Sequence, residues 1–271
     1  MKKTISGLTL ILFLLPFLFA TDGGATTFRN QTHKFFFFHP DSAQNNLSQL
    51  KSLMDVFLAK AGLDLQFQPF AHIADFDANL RQQKPAFQWV PEWYVARYGK
   101  SLGLKPFLVA VRNGKSTYRK ILVCSTRNRQ NPSELNGKTM AMTTMGPDRR
   151  EILKKILFTP LKINARGLTL VEVPKDSDAL LALMLGQVDF ALVSENNLGV
   201  LNRLSAAVER NVVQLEKTNP ISMPFLCYRE DAVEGDELDR MKNLFLLPPS
   251  QSGSGDLMEM LQIDAWQIVS H

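Results

Sequence analysis

Residues 138–193 read KTMAMTTMGPDRREILKKILFTPLKINARGLTLVEVPKDSDALLALMLGQVDFALV. Runs 138–143, 168–173 and 188–193 have strand character, and the stretches 147–158 and 177–185 between them have helical apolar spacing. Strand–helix–strand–helix–strand order predicts a parallel-sheet α/β unit. The same order occurs upstream. Residues 34–39 (KFFFFH) form a compact aromatic run that reads as a buried strand, ended by Pro40 and Asp41. Residues 46–61 place Leu47, Leu50, Leu53, Met54, Phe57, Leu58 and Ala61 at helical spacing, and Gly62 stops them. Residues 63–70 alternate as a strand, 75–83 form a weaker helix and 87–90 a third short strand. Pro91 then opens a helix through Tyr98, because proline is tolerated in the first helical turn.

Between the two halves lie two further strands, 105–112 and 118–124, joined through Asn113-Gly114 as a hairpin-type turn. A polar, turn-rich stretch follows at 127–137. After the second half the pattern gives a strand at 223–228, helices at 237–246 and 256–261, and a short polar tail.

The N-terminus sets the compartment. Lys2 and Lys3 precede an apolar run from Leu8 to Ala20, and Gly23-Gly24-Ala25 supplies small residues at cleavage-site spacing. This is the layout of a secretory signal peptide over residues 1–25. Cleavage after Ala25 is preferred to cleavage after Ala20, and with no cysteine beside either site a lipid anchor is not expected. A free exported protein is retained only behind an outer membrane, which suits a Gram-negative periplasm. Loss of Lys2, Lys3 and Asp22 would lower the formal charge from +5 to +4. That modest excess favours anionic ligands and is far below the basic stripe of a nucleic-acid binder. Cys124 and Cys227 lie in apolar runs. The pattern leaves a disulfide and two buried free thiols equally open. No nucleophile elbow, zincin motif, P-loop or dinucleotide fingerprint occurs, so no catalysis and no cofactor are expected. Met140, Met142 and Met145 could suit a soft metal, but Met140 and Met142 share a strand face, where core packing is the ordinary role, and no metal is expected.

Several segments together resemble the phosphonate/phosphite-type ABC-transporter substrate-binding proteins. They are Pro91-Glu92-Trp93-Tyr94-Val95, Gly114 with Tyr118 and the run ILVCSTR, Leu135-Asn136-Gly137-Lys138-Thr139-Met140-Ala141, Gly186-Gln187-Val188-Asp189-Phe190-Ala191, and the return segment 220–229. The resemblance implies an α/β, two-lobed type 2 periplasmic-binding-protein fold. Each lobe would be a mostly parallel sheet flanked by helices, with two crossing hinge strands between. Residues 26–125 with 225–271 would form lobe 1, and 126–224 lobe 2. Relatives that bind phosphonates carry Ser-Thr-Ser-Gly after the first strand of lobe 2, where this chain has Thr143-Thr144-Met145-Gly146.

That loop is the first site candidate. A strand-to-helix turn presents unpaired backbone N–H groups to an anion. Thr143 and Thr144 add hydroxyls, Met145 sits between, Gly146 allows close approach, and Arg149 or Arg150 could add charge; Asp148 would oppose an anion. The second candidate is Tyr94 at the cleft, with Trp89 and Trp93 read as packing residues. His39 and His72 follow the first two strands, and Ser194 and Glu195 follow the strand ending at Val193, so all four are expected to face the cleft. The expected ligand set is therefore His39, His72, Tyr94, Thr143, Thr144, Met145, Gly146, Ser194 and Glu195. The expected function is capture of a small anionic, phosphonate- or phosphate-like ligand by a periplasmic monomer, for delivery to an inner-membrane ABC permease. The alternative is a sensing module of the same fold that signals to a membrane sensor protein.

Overall fold

The computed structural model describes residues 33–42, 46–60 and 62–269. The expected signal peptide and its cleavage site lie outside the described residues. The first elements are β1 (His33–Phe37), α1 (Leu47–Lys60), β2 (Leu65–Pro69), α2 (Ile73–Gln83), β3 (Phe87–Val90), α3 (Glu92–Leu102) and β4 (Leu104–Val111). In β1 the aromatic run is buried on both faces: Phe35 and Phe37 enter one core cluster, and Phe36 with the adjoining Phe38 enters another. A continuous apolar run is what a parallel strand covered on both sides requires. The first turn of α1 is capped by Asn46, whose side-chain oxygen accepts from the Gln49 N–H at 2.9 Å.

Next come β5 (Thr117–Tyr118), β6 (Lys120–Ser125), β7 (Thr139–Thr143), α4 (Arg149–Leu153), β8 (Thr169–Val173), α5 (Asp176–Met184) and β9 (Phe190–Ser194). Then follow α6 (Glu195–Leu204), α7 (Ala206–Asn211), β10 (Val212–Lys217), β11 (Ile221–Ser222) and β12 (Phe225–Arg229). Last are α8 (Gly235–Leu246), α9 (Pro249–Ser252), α10 (Gly255–Leu261) and β13 (Ala265–Ile268). The six-stranded sheet has the order β13-β4-β12-β3-β1-β2, and the five-stranded sheet β10-β6-β9-β7-β8. In each, the βαβαβ unit is parallel, whereas β4, β12 and β13 in the first sheet and β6 and β10 in the second pair antiparallel.

The Asn113-Gly114 turn forms as expected. Asn113 has φ 51° and Gly114 φ 68°, and Arg112 and Lys115 exchange backbone bonds of 2.9 and 3.0 Å. The flanking strands do not form a hairpin, however. β4 joins the first sheet and β6 the second, so the chain crosses between lobes at this point. The strand 120–125, expected at the end of lobe 1, therefore belongs to the second sheet. The crossing is a two-stranded ribbon in which Ile221 pairs with Tyr118 and Ser222 with Thr117.

The helix expected from Pro147 to Phe158 starts only at Arg149 and widens over Lys154–Phe158 into a π-type turn. Cys124 and Cys227 are buried free thiols, one in each sheet, so the disulfide alternative is not realised. No helix among the described residues is long and apolar enough to cross a membrane.

Candidate functional site

Ligands of open α/β sheets gather beyond the carboxyl ends of the strands. Here Asp41 follows β1, Glu92 and Trp93 follow β3, the Thr143–Gly146 loop begins at the end of β7, Asp176 follows β8, and Ser194 is the last residue of β9. The two lobes face each other across these ends and the β5/β11 ribbon closes one side. A cleft of about 600 Å³ results. One wall carries Pro91, Glu92, Trp93 and Arg97, the other Thr144, Met145, Asp148, Ile152, Lys155 and Ile156, and the ribbon side adds Tyr118 and residues 219–222.

Trp93 joins the walls. It packs against core clusters of both lobes, and its ring lies so close to Gly146 that a Cβ there would sit 2.5 Å from the Trp93 Cε3 atom. Gly146 has φ +76°, so glycine is needed for both backbone conformation and clearance. Asp148 of the second lobe reaches Arg97 of the first at 3.7 Å.

The floor of the cleft is a buried polar network. Lys120 is wholly buried at the start of β6, and Asp41 is 6 % exposed. The Lys120 ammonium donates to Asp41 Oδ1 and to Thr143 Oγ1, each at 2.6 Å. The Tyr118 hydroxyl donates to Asp41 Oδ2 at 2.6 Å, and the Thr143 hydroxyl also donates to Asp41. Behind them, Asp176 Oδ2 accepts from the Ser194 N–H (3.0 Å), the Ser194 hydroxyl (2.7 Å) and Asn197 Nδ2 (2.8 Å). Asp176 Oδ1 has no hydrogen-bond donor among the described residues and lies 3.9 Å from the Lys120 ammonium.

Burial works to raise the Asp41 carboxyl, but the Lys120 ammonium, His39 and the hydrogen bonds from Lys120 and Thr143 together hold it below its usual range. Burial dominates at Asp176 and raises it despite Lys120. Burial also lowers His39 to about 4, with Arg112 and Lys120 adding to the effect and Asp41 opposing it. A charge as deep as Lys120 is tolerable only when paired, and Asp41 is its close partner.

Thr143, Thr144, Met145 and Gly146 reach this region as expected, but in different ways. Thr144 and Met145 line the cleft, Thr143 lies under its floor, and Gly146 receives Trp93. Part of the N-terminal seat expected at this loop is already used. The Gly146 N–H donates to Thr144 Oγ1 at 3.2 Å. Arg149 pairs with Glu172, and Arg150 donates to the Leu168 carbonyl. Tyr94 is corrected from ligand to core: it is 2 % exposed and its hydroxyl donates to Asp77 Oδ1 at 3.0 Å. Ser194 is spent on Asp176 and on capping α6, and Glu195 is exposed and paired with Lys217. His72 is exposed at the start of α2, away from the cleft wall. His39 sits beside the network with a buried Nδ1 that has no partner among the described residues.

Sequence reasoning missed Asp41, Lys120, Tyr118 and Asp176. One signal was present: Lys120 opens the otherwise apolar run KILVC.

The family described as "ABC transporter, phosphonate, periplasmic substrate-binding protein" matches residues 36–271. No curated protein sequence matches the chain. Among solved structures, the chain is similar to a binding protein component of an ABC phosphonate transporter from Pseudomonas aeruginosa, with 13 % identity, TM-score 0.69 and coverage of 88 % of this chain and 81 % of that one. It is similar to a Prochlorococcus marinus protein solved in complex with methylphosphonate, at 11 % identity and TM-score 0.70, covering 88 % and 92 %. A Xanthomonas citri protein solved with a chloride ion follows at 13 % and 0.67, covering 88 % and 91 %. Identities this low establish the fold alone, which is the two-lobed type 2 arrangement that the family resemblance implied.

Proposed function

Because the chain belongs to the periplasmic substrate-binding proteins of phosphonate ABC transporters, we propose that its interlobe cleft is the substrate site and takes a small organic anion carrying an apolar group, of the organophosphonate class. The observation that carries this reading is the cleft itself. Both lobes and the crossing ribbon contribute to it, and Trp93 of one lobe is seated on Gly146 of the other. Such a site closes when the ligand makes better contacts in the closed state.

The lining suits an amphipathic anion. Trp93, Met145, Ile152 and Ile156 supply apolar surface, and Thr144 and Asn219 supply hydrogen-bonding groups. Arg97 is engaged with Asp148, and Glu92 accepts from the Ser222 N–H at 3.1 Å. Lys155 has no ion-pair partner among the described residues and is the cleft's available cation. The closed protein then presents its ligand to the membrane permease. In this reading residues 1–25 are the export signal, the exported chain carries no lipid anchor, works as a monomer, and performs no chemistry on its ligand.

A thermal-shift and calorimetric screen of the exported chain tests this, using methylphosphonate, phenylphosphonate, benzenesulfonate, benzoate and benzylamine. Phenylphosphonate at 100 times its dissociation constant should add about 2.7 kcal/mol of stability. Lys155→Ala and Ile152→Asp should weaken its binding while leaving the free protein folded. A response to benzylamine with none to any anion would refute the reading, as would unchanged affinity in both variants.

A further inference from the structure

We propose that Asp41 is a tethered carboxylate that fills the innermost oxyanion position of the cleft, and so selects against bare oxyanions in favour of anions borne on an apolar group. The inference rests on the cleft being the substrate site and names the substrate class it accepts.

The donors around Asp41 are those an oxyanion would need: one ammonium and two hydroxyls. Asp41 Oδ1 receives the Lys120 ammonium at 2.6 Å and the Thr143 hydroxyl, and Oδ2 receives the Tyr118 hydroxyl at 2.6 Å. Both carboxylate oxygens are engaged, as in a bound carboxylate ligand. The occupant comes from lobe 1, after β1, and Lys120 and Thr143 come from lobe 2. The chain thus supplies across its own cleft the charge that a ligand would otherwise supply.

Asp41 is also fixed by its backbone. Ser42 N–H donates to the His39 carbonyl at 3.1 Å, and Asn197 Nδ2 donates to the Asp41 carbonyl at 3.0 Å. This is a held group, not a swinging arm. A phosphate entering here would have to displace a paired carboxylate and sit near Asp176, whose Oδ1 lies 3.9 Å from the same ammonium. Several negative charges would then share one buried cation, which is strongly unfavourable at low dielectric. The open volume lies outside this floor, along Trp93, Met145 and Ile152. An anion that binds there without evicting Asp41 has only the exposed Lys155 and a few polar groups to meet its charge, so it must add apolar contact to be held.

The test compares the exported wild-type chain with Asp41→Ala by calorimetry, using inorganic phosphate, methylphosphonate and phenylphosphonate. Wild type should bind phenylphosphonate and show no measurable heat with phosphate. Asp41→Ala leaves the buried Lys120 cation without its anion, so affinity for phosphate and methylphosphonate should rise by roughly a hundredfold. Adding Lys120→Met to that variant should abolish the gain. Asp41→Ser, which keeps a hydrogen-bonding group on the turn, replaces the alanine variant if that one does not fold.

A folded Asp41 variant that gains no affinity for either small anion overturns the proposal. So does wild-type protein that binds phosphate as tightly as the variant. Wild-type binding of phenylphosphonate without any gain in the variant defeats this inference and leaves the substrate cleft standing. A gain in the variant with no wild-type response to any phosphonate supports the Asp41 assignment and defeats the organophosphonate reading of the outer cleft.

Discussion

Gly146→Ala separates the closed state from the fold around it. The substitution does two things. It places a side chain at φ +76°, which costs about 1–2 kcal/mol for a residue other than glycine. That strain is present whether the lobes are open or closed. It also puts a Cβ 2.5 Å from the Trp93 ring, where ordinary contact begins at 3.4 Å. The ring, and the lobe that carries it, must retreat by about 0.9 Å. Because Trp93 comes from the opposite lobe, this second penalty falls only on arrangements in which the lobes are as close as they are here, which a ligand held between them requires. Overpacking of this kind costs about 1–3 kcal/mol, or roughly a 5- to 150-fold loss of ligand affinity. Thermal unfolding of the free variant should report the strain, as a fall of roughly 2–8 °C for a chain of this size. Calorimetric titration with phenylphosphonate should report the clash. Combining Gly146→Ala with Trp93→Ala removes the clash but not the strain, so alanine at 146 should then cost no further affinity. Unchanged affinity in Gly146→Ala, or strict additivity in the double variant, would refute the claim that Trp93 closes on Gly146.

His39 stays neutral in the folded chain down to about 4, against 6.5 for a free histidine. Between those values the unfolded chain takes up a proton that the folded chain refuses, so stability is full above about pH 6.5 and falls by about 3 kcal/mol as pH drops towards 4. Urea titrations at pH 7 and 4.5, a range above the usual Asp41 carboxyl value of 3.8, should show most of this loss in wild type and little in His39→Gln. An equal loss in both would assign it elsewhere. Lys120→Met leaves the Asp41 carboxylate buried without its cation and should cost about 3–5 kcal/mol by denaturant titration. Adding Asp41→Leu should restore much of that loss, and purely additive losses would show that the two charges do not stabilise one another. Tyr94→Phe removes the donor to Asp77 and should cost about 1 kcal/mol of stability while phenylphosphonate affinity stays unchanged. A loss of affinity would return Tyr94 to the ligand site.

The secondary structure was largely legible because it follows local periodicity. The Phe35–Phe38 run, the spacing of Leu50, Met54, Phe57 and Leu58, and the turn at Asn113-Gly114 each declare their conformation within a few residues. The pattern was weaker where polar residues dilute it. Helices α6 and α7 and strand β10, between Ser194 and Thr218, escaped notice, although β10 supplies an outer strand of the second sheet beside β6. The candidate site was less legible. Position at a strand end correctly brought Thr144 and Met145 to the cleft but said nothing about which way Tyr94 or Glu195 would turn.

The sequence alone therefore determined two βαβαβ units, a chain-long family resemblance, and a glycine at the loop where the lobes meet. Periodicity and turn chemistry are carried by neighbouring residues, so one dimension suffices to read them. The tertiary structure alone decided that the chain crosses between sheets after Gly114 and that Trp93 rests on Gly146. It also decided that Asp41 meets Lys120, a residue 79 positions away. The physical reason lies in burial and distance. An aspartate after a strand and a lysine at the start of another look like ordinary turn and surface residues until folding removes water from both and leaves each as the other's close counter-charge.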